Sequence, residues 1–218
     1  RRQRQMCIRD SPDTYIGSAE NTDGHYYLYD SETKRIKTRT AVINPGLYKL
    51  FDEAIVNCRD HAVRMKASME KCKPNTIPLS TIEITIGEDG TITMYNDGNG
   101  IDIAMHPEHK IWIPEMIFAH LRTGTNYDKK EKKIVGGKNG FGSKLIFIWS
   151  TYGKIETIDH VRKKKFTQEY FNNLDKKSEP IIKTCNTRPF TRITFKPDYK
   201  RLGMETLTKD MIDLFVKR

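Results

Sequence analysis

The sequence predicts an α+β fold, one sheet covered on one face by helices. Three observations predict it. Leu47, Leu50, Phe51, Ala54, Ile55, Cys58 and Ala62 recur at i, i+3, i+4, i+7, i+8, i+11 and i+15, the apolar stripe of a helix packed on one side. TIEITIG and TITMYND alternate in polarity around Glu88-Asp89-Gly90, the pattern of a β-hairpin. TYGKIETID, KKFTQEYF, PIIKTC and TRITFKP continue the alternation from Thr151 to Pro197. No internal repeat or low-complexity linker divides the 218 residues, so one domain is expected.

Taken in order, HYYLYD and RIKTRTAVI are aromatic and β-branched runs around a turn at Ser31 to Lys34 and predict two strands. Asn44-Pro45-Gly46 breaks that pattern and opens the striped helix. Polar residues from Lys71 to Pro78 lead to the hairpin. A short helix follows at Pro114 to Arg122, then a segment rich in Gly and Lys, then an apolar helix from about Gly142 to Ser150. METLTKDMIDLFVKR reads as an amphipathic helix that stops without a cap or polar tail.

The formal charge is +10, of which Arg1, Arg2, Arg4 and Arg9 against Asp10 supply three. Codon by codon, Arg1 to Asp10 fit CGT CGG CAG CGT CAG ATG TGT ATA AGA GAC, which resembles a transposon-type sequencing adapter. Residues 1–10 are therefore expected to be a non-native tail, and residues 11–218 the protein proper. The remaining basic excess sits in runs such as Lys129-Lys130-Glu131-Lys132-Lys133 and favours partners bearing phosphate, without separating nucleotide from nucleic acid. Cys7, Cys58, Cys72 and Cys185 form no CxxC pair, which fits reduced thiols inside a cell. No apolar run approaches the roughly 20 residues needed to span a bilayer, so no membrane role is expected.

Three constellations could carry chemistry. Glu53, Asn57 and Asp60 fall at i, i+4 and i+7 on one stripe beside the apolar face of the helix. A solvated helix face would have the same spacing. A carboxylate at the edge of an apolar wall can also act as a base, and an amide oxygen four residues on can ligate a hard cation. Asn96-Asp97-Gly98-Asn99-Gly100 follows a strand. It is either a plain chain reversal or a site where Asp97 accepts from an exocyclic amine while Gly98 and Gly100 let a planar ring approach the backbone. Gly124-Thr125-Asn126 precedes Gly137-Lys138-Asn139-Gly140-Phe141-Gly142-Ser143-Lys144, which runs into a helix and offers N–H groups and a dipole end to an anion. Neither GxxxxGK[ST] nor GxGxxG is satisfied, because Ser143 precedes Lys144 and the glycines read GxxGxG. The bland alternative is a Gly-rich loop.

The order of these constellations resembles the GHKL (Bergerat-fold) ATPases, and within them the N-terminal ATPase domain of eukaryote-like type II DNA topoisomerases. PDTYIGS, PGLYKLFDEAIVN, NDGNGI, IPEMIFAHLRTGTNYD, GGKNGFGSKL and TRITFKPD carry the resemblance over nearly all of residues 12–218. It implies a mixed, mostly antiparallel sheet with helices on one face, and ATP and Mg²⁺ as cofactors. Glu53 is then the general base, Asn57 the metal ligand, and Asp60 and His61 nucleotide contacts. Asp97, with Gly98 and Gly100, meets adenine or ribose. Gly124, Thr125 and Asn126 contact ribose and phosphate. Gly137, Lys138, Asn139, Gly140, Phe141, Gly142, Ser143 and Lys144 form the phosphate lid.

Departures are His61, where the eukaryotic pattern usually has Asn, and Phe141 in place of a usual Tyr. Asp97 stands where eukaryotic members often carry Asn and the bacterial gyrase branch carries Asp. The resemblance also implies a chain truncated before the transducer domain and lacking the DNA-cleaving Tyr, so ATP turnover by this fragment should be weak. In the full enzyme ATP would close a homodimer around DNA, inside the nucleus of a eukaryote or in a host cell or virion. Two rivals stay open: a GHKL ATPase of the chaperone or mismatch-repair type, and a non-catalytic module that binds nucleic acid.

Overall fold

A computed structural model describes residues 8, 11–120 and 142–218. Its centre is a seven-stranded sheet formed by β3 (Ile82–Ile86), β4 (Ile92–Asn96), β5 (Ser150–Asp159), β6 (Lys164–Phe171), β7 (Lys176–Lys177), β8 (Ile181–Thr184) and β9 (Thr191–Pro197). The order is β3-β4-β9-β5-β6-β7, with β8 also pairing with β6. Every pairing among the described strands is antiparallel. One face of β9 buries Ile193 and Phe195, while Arg192, Thr194 and Lys196 alternate toward the other.

The buried face is covered by α2 (Pro45–Glu70) and α4 (Gly142–Ile148). Leu47, Leu50, Phe51, Ala54 and Cys58 of the predicted stripe are buried, and they share a core with Ile92, Met94, Ile155 and Phe195. The start of α2 is set by Asn44. Its Oδ1 accepts from the Leu47 amide at 2.9 Å, the usual bond of a capping asparagine, with Pro45 at the first helical position. Asn44 is fully buried, and its Nδ2 donates to the Ala19 carbonyl at 2.9 Å, Asn21 Oδ1 at 3.1 Å and the Leu202 carbonyl at 2.8 Å. One side chain thus ties the helix start to the PDTYIGS region, whose residues Pro12–Tyr15 form the one-turn helix α1, and to the segment after β9.

Two features depart from expectation. The first hairpin, β1 (Thr22–Asp30) and β2 (Arg35–Ile43), does not join the main sheet but forms its own two-stranded sheet. Its inner face packs on α5 (Lys209–Lys217), and Arg39 reaches Asp210 Oδ1 at 2.6 Å and Asp213 Oδ2 at 2.7 Å on that helix. The closing helix starts at Lys209, not Met204, because Thr208 Oγ1 caps it by accepting from the Met211 amide at 3.3 Å. Gly203, at φ +65°, ends a single 3₁₀ turn just before. The apolar residues Met204 and Leu207, which suggested a longer helix, pack against the core from irregular backbone. Finally, α5 meets α2 through Phe215, stacked on Phe51 with ring centroids 4.0 Å apart. Among the described residues no helix is long and apolar enough to cross a membrane.

Candidate nucleotide site

The polar stripe of α2 meets the start of α4 at one end and the turn after β4 at the other. Glu53 is a quarter exposed, and its Oε1 pairs with Lys49 one helical turn earlier at 2.6 Å. Its Oε2 lies so close to Gly142 that a Cβ added there would sit 1.9 Å from it. Any side chain at that position would push the Glu53 carboxylate aside. Four residues on, Asn57 Nδ2 donates to Ser143 Oγ at 3.2 Å, which leaves Oδ1 as the amide oxygen suited to a hard cation. Two residues 86 positions apart in sequence are therefore adjacent here.

Farther along α2, Asp60 is buried beside Arg59, whose guanidinium is 3.6 Å away. His61 Nε2 lies 2.8 Å from the Asn99 carbonyl. Burial and then the Arg64 charge outweigh that contact and hold the His61 pKa below its ordinary value, so the ring is neutral at pH 7. The single N–H of the neutral ring is therefore committed to Asn99, and only Nδ1 is left to meet a ligand. The contact joins α2 to the Asn96–Gly100 turn, where Gly98 takes φ +87°. At Gly100 the chain passes so near β5 that an added Cβ would meet the Ile158 carbonyl oxygen at 1.9 Å.

Asp97 is buried and commits both carboxylate oxygens to the protein. Oδ1 accepts from the amides of Ser80 at 2.7 Å and Thr81 at 2.8 Å. Oδ2 accepts from Ser80 Oγ at 2.5 Å and Arg188 Nη2 at 2.8 Å. Burial raises the Asp97 pKa, but the Ser80 and Thr81 bonds together with the Arg188 charge lower it more, so the group stays ionised at neutral pH. Lys144 is buried on α4, and desolvation brings its pKa down to about 8.

Gly124, Thr125, Asn126, Gly137, Lys138, Asn139, Gly140 and Phe141 lie outside the described residues. Sequence reasoning missed Lys49, Ser80 and Arg188, which hold Glu53 and Asp97. It also missed Glu115 of α3 (Ile113–Ala119), a buried carboxylate bound by His120, Lys177 and Gln168. Burial opposes its ionisation, yet those partners keep its pKa at about 2, fixing α3 to β6 and β7.

An antiparallel sheet backed by a helix with a carboxylate and an amide one turn apart, facing a second helix start and a glycine turn, defines the GHKL class of ATPase fold. No family model matches the chain. It is 43% identical to DNA topoisomerase 2 of Acanthamoeba polyphaga mimivirus and 40% identical to that of Drosophila melanogaster, over 97% and 95% of its length. The chain spans only 16% and 14% of those relatives. The crystallised ATPase region of Saccharomyces cerevisiae topoisomerase II superposes with a TM-score of 0.89 at 40% identity, covering 98% of this chain and 54% of that one. The ATPase domain of Thermus thermophilus gyrase B, 19% identical with a TM-score of 0.64, shares the fold. The chain is a homologue of the ATPase region of type II DNA topoisomerases.

Proposed function

We propose that the chain binds Mg²⁺-ATP and hydrolyses it, and serves as the ATP gate of a type II DNA topoisomerase. The supporting observation is the meeting of Glu53 and Asn57 with Gly142 and Ser143, while His61 brings the Asp97 turn to the same helix. Glu53 would orient and deprotonate the water that attacks the γ-phosphate, held in place by Lys49 on one side and Gly142 on the other. Asn57 Oδ1 suits Mg²⁺, which takes only one or two protein oxygens and completes its shell with phosphate and water. Bound there, the ion would neutralise phosphate charge as the bond breaks. Lys144 would add positive charge at the triphosphate.

In the complete enzyme, ATP bound better by a closed homodimer than by an open one would shift the population toward closure around DNA. The site requires that the chain bind ATP with Mg²⁺ and without DNA, as calorimetry can show. Binding of DNA with no nucleotide binding would instead favour the nucleic-acid module.

Lys144 adds a pH signature. Its pKa of about 8 before nucleotide binds must rise when phosphate arrives, so binding takes up a proton wherever the amine starts neutral. ATP affinity is expected to fall about tenfold as pH rises from 8 to 9.5. Heats measured in buffers of different ionisation enthalpy should show the uptake. Lys144→Met should bind more weakly at pH 7.5 and lose the slope. A slope unchanged in that variant would remove Lys144 from the phosphate site.

A further inference from the structure

We infer that Arg188 is an exchangeable plug in the base pocket, competing with the exocyclic amine of the incoming purine for Asp97, an inference that rests on assigning the Asp97 turn to the base. A carboxylate offers about four lone-pair positions. Ser80 N–H, Thr81 N–H, Ser80 Oγ–H and Arg188 Nη2–H fill all four. An amine that is to donate to Asp97 must displace one of them.

The four are not equally held. The Ser80 and Thr81 amides belong to the backbone entering β3, where Asp97 N–H donates back to the Thr81 carbonyl at 3.2 Å. The Ser80 hydroxyl stands on that same backbone. Arg188 reaches in from the 185–190 loop, 91 residues away, and its side chain is 65% exposed. Its guanidinium loses a screened ion pair on release and regains full hydration, so it is the partner that leaves at least cost. Its departure frees one lone pair of Oδ2, while the two amides and the hydroxyl still aim the carboxylate. The plug thereby weakens nucleotides whose base carries an amine and leaves those without one unaffected.

The test compares ATP with purine riboside triphosphate, which lacks the 6-amino group, on the wild-type chain and on Arg188→Ala, by calorimetry with Mg²⁺. In the wild type, ATP is expected to bind more tightly than the amine-free analogue. Arg188→Ala is expected to tighten ATP about three- to fivefold, the scale of one partly screened charge-assisted bond, and to leave the analogue within error. Arg188→Lys, with one donor on a flexible stem, should fall between. Equal wild-type affinity for the two ligands would refute the base assignment itself. A wild-type preference for ATP combined with unchanged or weaker ATP binding in Arg188→Ala would overturn the plug alone. Equal tightening of both ligands would also overturn it, because the effect would then come from net charge.

Discussion

Glu53→Gln is expected to lower hydrolysis of bound ATP about 10²- to 10⁴-fold while leaving ATP affinity within about twofold. Glutamine keeps the length and shape of the side chain against Gly142, where the tight approach of Oε2 leaves no room for a larger group. What it loses is the capacity to accept a proton. The Lys49 ion pair also goes, but both groups are partly exposed and such a pair contributes little to stability. The interactions proposed to hold nucleotide come from Asn57, the Asp97 turn and Lys144, so the loss should appear in the chemical step alone. The measurement is a single-turnover assay with enzyme in excess over labelled ATP, paired with calorimetry. Turnover at the wild-type rate would rule out Glu53 as the base.

The largest expected loss of stability is at Asn44. Asn44→Ala removes the cap of the 26-residue helix and the two N–H donors that three acceptors share around a fully buried position. A lost cap costs about 1 kcal/mol, and each buried acceptor left without a donor adds to it, so a total of about 3 to 4 kcal/mol is expected. The measurement is the shift in urea midpoint at constant slope. Amide exchange should also rise at Gly46, whose N–H donates to the Ser18 carbonyl at 2.8 Å beside the lost cap. A loss below about 1 kcal/mol would mean that water replaces the amide at no cost.

Helix α2 was legible in the sequence because its signals are local: a proline at the first turn, an asparagine before it, and apolar residues at helical spacing. Glu53 and Asn57 were legible as a pair for the same reason. The partners that fix their chemistry were not. Ser143 meets Asn57 across 86 residues and Arg188 meets Asp97 across 91, and no local pattern records such contacts. Asp97 shows the difference sharply. Its residue type announced an acceptor, while the structure shows every acceptor position filled. The β1–β2 hairpin was readable as two strands, yet alternation reports only that a strand has an inner face, not which sheet or helix covers it. The misplaced start of α5 has a similar cause, since Met204 and Leu207 are apolar for packing reasons that periodicity alone mistakes for helix.

The stack of Phe215 on Phe51 gives the molecule a mechanical line. Phe51 lies two positions before Glu53 on one continuous helix, and α5 is itself clamped to the first hairpin by Arg39. A displacement of α5 therefore cannot stay local: it must strain the Arg39 ion pairs to the hairpin and the ring stack on the helix that carries the proposed base.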